Sequence, residues 1–409
     1  PKNIFLIGKS VNYHLARNDP AIYSQIKVPS YGDPATDLMF TAYLTNGNTE
    51  EPGISVGRLA ASTPQQVTSY LQKVIEYEAI GPEMWKKKGL HFSGGGTESE
   101  ITSIRNMLDS YKAFFEDTLL GGHIMTFQKT SSEPFQFTQV DSVVDLINNG
   151  VQLVTFFGHG SSVGFDVSID HPSVFANNNG KYPLMLGLSC FAGDIHQPLG
   201  VGSMSENWVL EPDGGALGFI ATVGPGKRAY LNNYFTKWYR NLSANDYGKS
   251  IGEVMRSTIS DNSQLSNPLT TYHNLGNTLH GDPSIIITNA TLPDLATTIS
   301  DVYTVPTELS TVLDSFELKV VISNLGQAFA DSFFIELNHH LPNGVLDTNM
   351  VILHPPVYYQ DTLSITLPID PYNGVGLNNL CVSLDNLQLI EELSELNNDV
   401  CIKPLVISP

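Results

Sequence analysis

A histidine and a cysteine, 31 positions apart, each stand just after a short apolar run. His159 follows the run at residues 153–157 in the sequence Phe-Gly-His-Gly, and Cys190 follows the run at 184–188 in Leu-Ser-Cys-Phe-Ala-Gly. Apolar runs of this length indicate buried strands. We therefore expect an imidazole and a thiol at the ends of two consecutive core strands.

This pair has the chemistry that nucleophilic catalysis by a thiol requires. A thiol is a weak nucleophile at neutral pH until a neighbouring base or cation favours the thiolate. The imidazole of His159 can accept that proton and later return it to a leaving amine. The backbone amides of Gly160 and Cys190 are candidate donors to the oxyanion of a tetrahedral intermediate. A lone cysteine at a strand end is more often a small buried hydrophobe, but the pair favours a cysteine peptidase.

Strand-like and helix-like segments alternate from the start of the chain to residue 290. Alternating βα units predict a mostly parallel sheet with helices on both faces. Reactive groups of such sheets collect at the carboxyl ends of the strands, where His159 and Cys190 fall. We predict an N-terminal α/β subdomain over residues 1–88 and a catalytic α/β subdomain over residues 89–290.

Residues 291–409 predict an all-β immunoglobulin-like sandwich, because short alternating strands separated by turns replace the helical pattern. The clearest strand-like segments are residues 316–322, 333–337, 363–367 and 380–384. Cys381 and Cys401 lie in strand-like segments of this region. They form a disulfide if those strands pair, which would fit an oxidising compartment, and otherwise remain two buried thiols.

Charge and hydropathy exclude some classes of partner. The net charge is −20, and residues 291–409 contain 15 of the 41 acidic residues but only 2 of the 21 basic ones. Nucleic-acid binding needs a basic surface, so we expect no nucleic-acid partner. The chain lacks an apolar run of about 18 residues, so we expect no membrane span.

Five separated motifs resemble the gingipain-type cysteine peptidases, secreted bacterial enzymes of the caspase-related clan. They are residues 158–161, residues 189–194, residues 215–222, the segment 56–58 with the helix through 73–78, and residues 279–284. The resemblance implies a caspase-like fold, protein or peptide substrates, Cys190 as the nucleophile and His159 as the general acid and base. It implies an oxyanion hole at the backbone of Gly160 and Cys190, and chemistry that needs no cofactor.

The resemblance also has departures. Arginine-specific relatives support the histidine with a glutamate in a loop that matches residues 93–96, where this chain has glycines. Support for His159 is therefore missing or comes from elsewhere. The carboxylate that binds the substrate side chain in those relatives matches Glu100 most closely, with Glu98 as the neighbouring candidate. A carboxylate there would suit Arg or Lys at the cleaved position, although helix dipoles also favour acids in a first turn.

The C-terminal region resembles the adhesion-type immunoglobulin-like modules of bacterial surface proteins. Its acidic segment 391–399, and more weakly Asp33 and Asp37, are candidate sites for structural calcium. The two resemblances together lead us to expect a secreted or cell-surface protein, with a cell-surface or secretion-machinery association. Because the chain opens directly into a strand-like segment without a signal peptide, we expect it to be a piece of a longer protein.

Two alternative functions remain open. A sortase associated with type IX secretion shares this fold and uses the same dyad to cut and rejoin chains. The second alternative is a catalytically silent surface protein that acts in adhesion or binding. The glycines at 94–96 favour this alternative, and the intact His159 and Cys190 oppose it.

Overall fold

The computed structural model describes residues 2–44, 51–131, 133, 136, 137, 140–169, 171–263 and 267–408. The chain divides into two compact units. Unit 1 comprises residues 1–118 and 122–289, and unit 2 comprises residues 119–121 and 290–409. None of the described helices is long and apolar enough to cross a bilayer.

Unit 1 is built around an eight-stranded sheet of order β1-β2-β10-β9-β8-β6-β3-β4. Its strands are β1 (Asn3–Ile7), β2 (Ser55–Leu59), β3 (Lys88–Ser93), β4 (His123–Gln128), β6 (Leu153–Phe157), β8 (Leu184–Leu188), β9 (Gly218–Thr222) and β10 (Asn277–Gly281), and the short β5 (Gln136–Phe137) and β7 (Val167–Ser168) pair apart from it. Only β9 and β10 pair in antiparallel orientation within this sheet. The prediction of a mostly parallel α/β sheet is confirmed.

Side-chain caps define where the longer helices begin. Thr63 and Gln66 form a reciprocal capping box at the start of α3, and the Thr97 side chain accepts from the Glu100 amide at the start of α4. The helices described in unit 1 are α1 (Tyr13–Ala16), α2 (Pro20–Tyr23), α3 (Pro64–Glu78), α4 (Glu98–Glu116), α5 (Val140–Asn149), α6 (Met204–Val209), α7 (Arg228–Arg240), α8 (Ile251–Ser263) and α9 (Pro268–Gly276). The cap at Thr97 fixes Glu100 in the first turn of α4.

The predicted boundary at residue 88 coincides with the start of β3. Strands from both sides of it, β2 and β3, belong to the same eight-stranded sheet. The division of this part of the chain into subdomains 1–88 and 89–290 stays a prediction.

Unit 2 is an all-β sandwich, as the sequence predicts. Strands β14 and β15 alternate buried and less buried residues, so one face of each packs into a core that includes Leu318, Phe333 and Ile335. The strands are β11 (Leu295–Ala296), β12 (Val302–Val305), β13 (Leu309–Ser310), β14 (Ser315–Asn324), β15 (Phe333–His340), β16 (Leu346–His354), β17 (Gln360–Pro368), β18 (Gly376–Leu377), β19 (Asn379–Leu384), β20 (Asp399–Ile402) and β21 (Leu405–Ile407).

The two cysteines of unit 2 form a disulfide. Antiparallel pairing of β19 with β20 places Cys381 directly opposite Cys401, with their Cα atoms 4.1 Å apart. Cys190 is therefore the one free thiol of the three cysteines.

Candidate active site

His159 and Cys190 leave paired strands at the same level. The parallel register of β6 and β8 sets Phe157 opposite Leu188, and each candidate residue lies two positions beyond that pair. The Gly158 amide continues the ladder by donating to the Leu188 carbonyl at 3.3 Å. Because neighbouring strands are about 4.8 Å apart, both residues lie at the same carboxyl edge of the sheet.

The two turns pack directly against each other. A Cβ at Gly160 would lie 2.7 Å from Ser189 Oγ, so only glycine permits this approach. Around Gly160 the backbone is held by bonds from the Asp166 amide to the His159 carbonyl and from the Ser161 amide to the Gly164 carbonyl. These two hydrogen bonds hold the backbone on either side of Gly160 and do not use the Gly160 amide.

The turn after β8 presents Cys190 at a sharp bend. The Gly226 amide donates to Cys190 Sγ at 3.3 Å, and an N–H donor stabilises negative charge on the sulfur. Phe191 adopts a left-handed conformation with φ of 58°, and its amide donates to the Gly224 carbonyl at 3.0 Å. The Phe191 amide is thus engaged, whereas the Cys190 amide donates to no backbone carbonyl of the described residues.

Glu100 is the partner of the candidate base. His159 Nε2 lies 3.0 Å from Glu100 Oε2. Because an ionised carboxylate can only accept, Nε2 carries the proton and donates it. The other ring nitrogen, Nδ1, is then the one that has a lone pair available for the proton of a thiol.

Several donors surround the Glu100 carboxylate. The Gly96 amide donates to Oε2 at 3.0 Å, and Arg228 Nη1 donates to Oε1 at 3.2 Å. Partial burial raises the pKa of Glu100. The hydrogen bonds from Gly96 and His159, together with the charges of His159 and Arg228, lower it by more, so the net shift of the pKa is downward. Glu100 therefore stays ionised beside His159 to lower pH than an ordinary glutamate.

The loop that donates to Glu100 is fixed by a buried ion pair. Lys129 and Asp166 side chains are 1% and 7% exposed and lie 3.2 Å apart. Lys129 Nζ also donates to the Gly95 carbonyl at 3.1 Å, and the Gly95 amide donates to Asp166 Oδ2 at 2.8 Å. A Cβ at Gly94 would lie 2.1 Å from Asp166 Oδ1, so this arrangement requires glycine there.

The structure separates the two glutamates that the sequence pairs in a substrate pocket. Glu98 is exposed in the first turn of α4, whereas both Glu100 oxygens are engaged by His159, Gly96 and Arg228. Relatives place the support of the histidine in the loop that matches residues 93–96, whereas in this chain the carboxylate beside His159 is that of Glu100. A pocket role for Glu98 or Glu100 stays a prediction. Sequence reasoning missed Arg228, Lys129 and Asp166.

No group of three or more His, Cys, Asp or Glu side chains suited to a metal ion occurs among the residues that the structure describes. Asp37 forms a buried ion pair with Arg58, and Asp33 lies 3.2 Å from His14. In the acidic segment 391–399, Glu392 accepts hydrogen bonds from the Leu295 amide and from Asn398. Structural calcium at these places stays a prediction.

Glu392 makes the stability of unit 2 depend on pH. Burial is the main cause that raises its pKa from 4.5 to about 7, and the charges of Glu395 and Asp385 add to it. Between these two values the folded state holds the proton more tightly than the unfolded chain, so the free energy of unfolding falls as pH rises. We expect the stabilities of the wild type and Glu392→Gln to differ little at pH 5. At pH 8 we expect the wild type to be the less stable of the two. Hydrogen exchange of the backbone amides in β14 and β19 measures both differences. Equal differences at both pH values would contradict this.

Comparisons with known proteins concern the family and the fold of this chain. The model of peptidase family C25 matches residues 1–288. The crystal structure of the Arg-specific cysteine proteinase gingipain R (RgpB) is 15% identical with a TM-score of 0.57, covering 100% of this chain and 84% of that one. A complex of the pro- and mature domains of RgpB from Porphyromonas gingivalis is 16% identical with a TM-score of 0.55, covering 100% of this chain and 86% of that one. No curated protein sequence matches the chain.

At these identities the solved structures show the fold alone, whereas the family match extends over most of the chain. It includes every residue of the candidate site, from Glu100 to Arg228. The chain therefore belongs to peptidase family C25, and it is a cysteine-type peptidase with the caspase-like fold of the gingipains followed by an immunoglobulin-like sandwich.

Proposed function

We propose that this chain is an endopeptidase that hydrolyses peptide bonds through an acyl-enzyme on Cys190, with His159 as the general acid and base. The observation that carries the proposal is the 3.0 Å contact between His159 Nε2 and Glu100 Oε2. His159 follows β6, and β6 is paired in register with β8, the strand that ends before Cys190. This contact selects the tautomer whose free nitrogen can take a thiol proton.

Each residue then has a defined part in the reaction. His159 Nδ1 accepts the proton of Cys190, and the sulfur attacks the carbonyl carbon of the substrate. The amides of Gly160 and Cys190 donate to the oxyanion that forms. The imidazolium protonates the leaving amine, and water then hydrolyses the thioester with His159 again as the base. Glu100 stabilises the imidazolium through its ionised carboxylate.

Cleavage after Arg or Lys is part of this proposal. It is supported by the exposed carboxylate of Glu98 in the first turn of α4, two residues before Glu100, since a long cationic side chain needs a carboxylate partner. RgpB is described as Arg specific.

A secreted or cell-surface location is supported by the Cys381–Cys401 disulfide, because disulfides persist in oxidising compartments.

Labelling by peptidyl chloromethyl ketones tests the nucleophile. These reagents alkylate an activated cysteine that lies beside a bound peptide, and Cys190 is the only free thiol. We expect one adduct per chain, on Cys190, forming at least about 10²-fold faster than with glutathione. Labelling no faster than with glutathione would contradict an activated thiol.

Adding an amine acceptor during peptide cleavage separates hydrolysis from transpeptidation, because joined products would indicate the sortase reaction.

Glu100→Gln tests the support of His159. The amide keeps the size of the side chain but removes the charge that stabilises the imidazolium, so kcat is expected to fall roughly 10²-fold with little change in KM. Steady-state kinetics on one fluorogenic peptide checks this. Glu78→Gln, at the exposed end of α3, serves as the control and should match the wild type. An unchanged kcat in Glu100→Gln would remove Glu100 from the mechanism.

A further inference from the structure

A short segment at the start of α7, residues 226–228, contacts both halves of the candidate active site. The Gly226 amide donates to Cys190 Sγ at 3.3 Å. Arg228 Nη1 donates to Glu100 Oε1 at 3.2 Å. The position of this segment therefore affects both the sulfur and the carboxylate that supports the base.

The amide between these two contacts ties the segment to α9. The Lys227 N–H donates to His273 Nε2 at 2.9 Å. Pro225, on the other side of Gly226, has no amide hydrogen that could anchor the chain. The Lys227 side chain makes no capping hydrogen bond at the start of α7, in contrast to the caps of α3 and α4. The bond to His273 is thus the anchor that fixes where α7 begins.

His273 is held in the tautomer that can accept this bond. Its side chain is buried, and Nδ1 lies 2.7 Å from the carbonyl oxygen of Leu269, one turn earlier in α9. Because a carbonyl can only accept, Nδ1 carries the proton and Nε2 keeps a lone pair. The ring also stacks on Tyr230, with centroids 5.2 Å apart and an angle of 15° between the planes. Both the tautomer and the orientation of the ring are fixed.

The surroundings of His273 favour the neutral ring. Burial is the main cause that lowers the pKa of His273, the hydrogen bond to the Leu269 carbonyl opposes it, and the charge of Lys227 lowers the pKa further. An imidazolium carries hydrogens on both nitrogens and cannot accept from the Lys227 amide. At neutral pH the ring is therefore in the form that anchors the segment.

We propose that His273 is a positioning residue of the active site, which holds residues 226–228 where they contact Cys190 and Glu100. The inference rests on the proposed function and adds to it a residue that acts through the backbone of Lys227. Without this acceptor the segment loses its anchor on α9, and the Gly226 amide no longer stabilises negative charge on the sulfur. A displacement of about 1 Å at a catalytic contact can lower a rate roughly 10²-fold.

Alkylation of Cys190 by iodoacetamide at neutral pH tests this role without a peptide substrate. Cys190 is the one free thiol, so the label reports on it alone. His273→Phe keeps a planar ring but removes the acceptor, and we expect the alkylation rate and kcat to fall at least about tenfold with little change in KM. His273→Gln offers an amide oxygen at a similar reach and should recover most of both rates.

A second variant keeps the test valid if His273→Phe does not fold. The shorter side chain of His273→Asn can donate to the Leu269 carbonyl but does not reach the Lys227 amide. We expect it to lose the same rates as His273→Phe.

Tyr230→Leu is the matched control for packing. It removes the ring that stacks on His273 and leaves the bond to Lys227 in place. Urea unfolding should show a loss of stability in this variant, whereas the alkylation rate of Cys190 should equal that of the wild type. An equal fall of that rate in Tyr230→Leu and His273→Phe would overturn the inference, because loss of packing alone would explain it.

The same measurement separates this inference from the proposed function. If wild-type Cys190 reacts no faster than glutathione, the proposed function is wrong and the inference falls with it. If wild-type Cys190 reacts faster than glutathione and His273→Phe and His273→Asn react equally fast, only the positioning role of His273 is wrong. A slower reaction in these two variants that His273→Gln restores is the result that the inference predicts.

Discussion

Replacing His159 with alanine is expected to lower kcat/KM for peptide hydrolysis at least about 10³-fold. General acid–base catalysis by a positioned side chain contributes up to about 10⁴-fold, and loss of the base also leaves the thiol without a proton acceptor. The remaining rate would come from substrate binding and the backbone donors. The effect should appear in kcat, because the role proposed for His159 is proton transfer during the reaction.

Two measurements make this result specific. His123→Ala changes an exposed histidine at the start of β4 and should retain wild-type kinetics. The rate at which iodoacetamide alkylates Cys190, measured across a range of pH, should show an inflection in the wild type that depends on His159. That inflection should be absent in His159→Ala. A His159→Ala protein with more than about a tenth of the wild-type kcat would contradict its role as the base.

Replacing Lys129 with methionine is expected to lower the free energy of unfolding of unit 1 by about 3–5 kcal/mol. The substitution leaves the Asp166 carboxylate buried without its cation, and Asp166 Oδ1 already has no partner among the described residues. Because all three tryptophans, Trp85, Trp208 and Trp238, lie in unit 1, urea unfolding followed by tryptophan fluorescence reports this change without a contribution from unit 2.

A double-mutant cycle tests the origin of that loss. Adding Asp166→Asn to Lys129→Met removes the unpaired charge and should recover part of the stability. The recovered protein should still have a reduced kcat, since the contacts of Lys129 and Asp166 with Gly95, the neighbour of the Gly96 amide that donates to Glu100, are not restored. Lys112→Met, which breaks a partly exposed pair on α4, should change stability by less than about 1 kcal/mol. An equally large loss at Lys112 would contradict the argument from burial.

The fold class and the placement of His159 and Cys190 can be predicted from sequence because their signals are local. An apolar run that ends in a turn with glycine is visible within ten residues, and alternating βα units imply a parallel sheet. The change to an all-β pattern after residue 290 is local in the same sense. Whether Cys381 and Cys401 bond depended on strand pairing, which the pattern alone left open.

The contacts around the dyad are not local and were not predictable in the same way. Lys129 and Asp166 are 37 positions apart, and Arg228 reaches Glu100 across 128 positions. Asp33 and Asp194 line one cavity although they are 161 positions apart. Glu100 is an intermediate case, since the cap at Thr97 fixes its place on α4 but not its partner. Each of these depends on tertiary packing that no periodicity encodes.

Cleavage of a mixed peptide library by the wild type and by Cys190→Ala, with new termini identified by mass spectrometry, tests the central claim most directly. In reducing buffer that leaves the Cys381–Cys401 bond intact, with calcium present, we predict new termini with the wild type only, and none with the variant. The same set of new termini at similar rates from both proteins, or none from either, would contradict a peptidase that acts through Cys190.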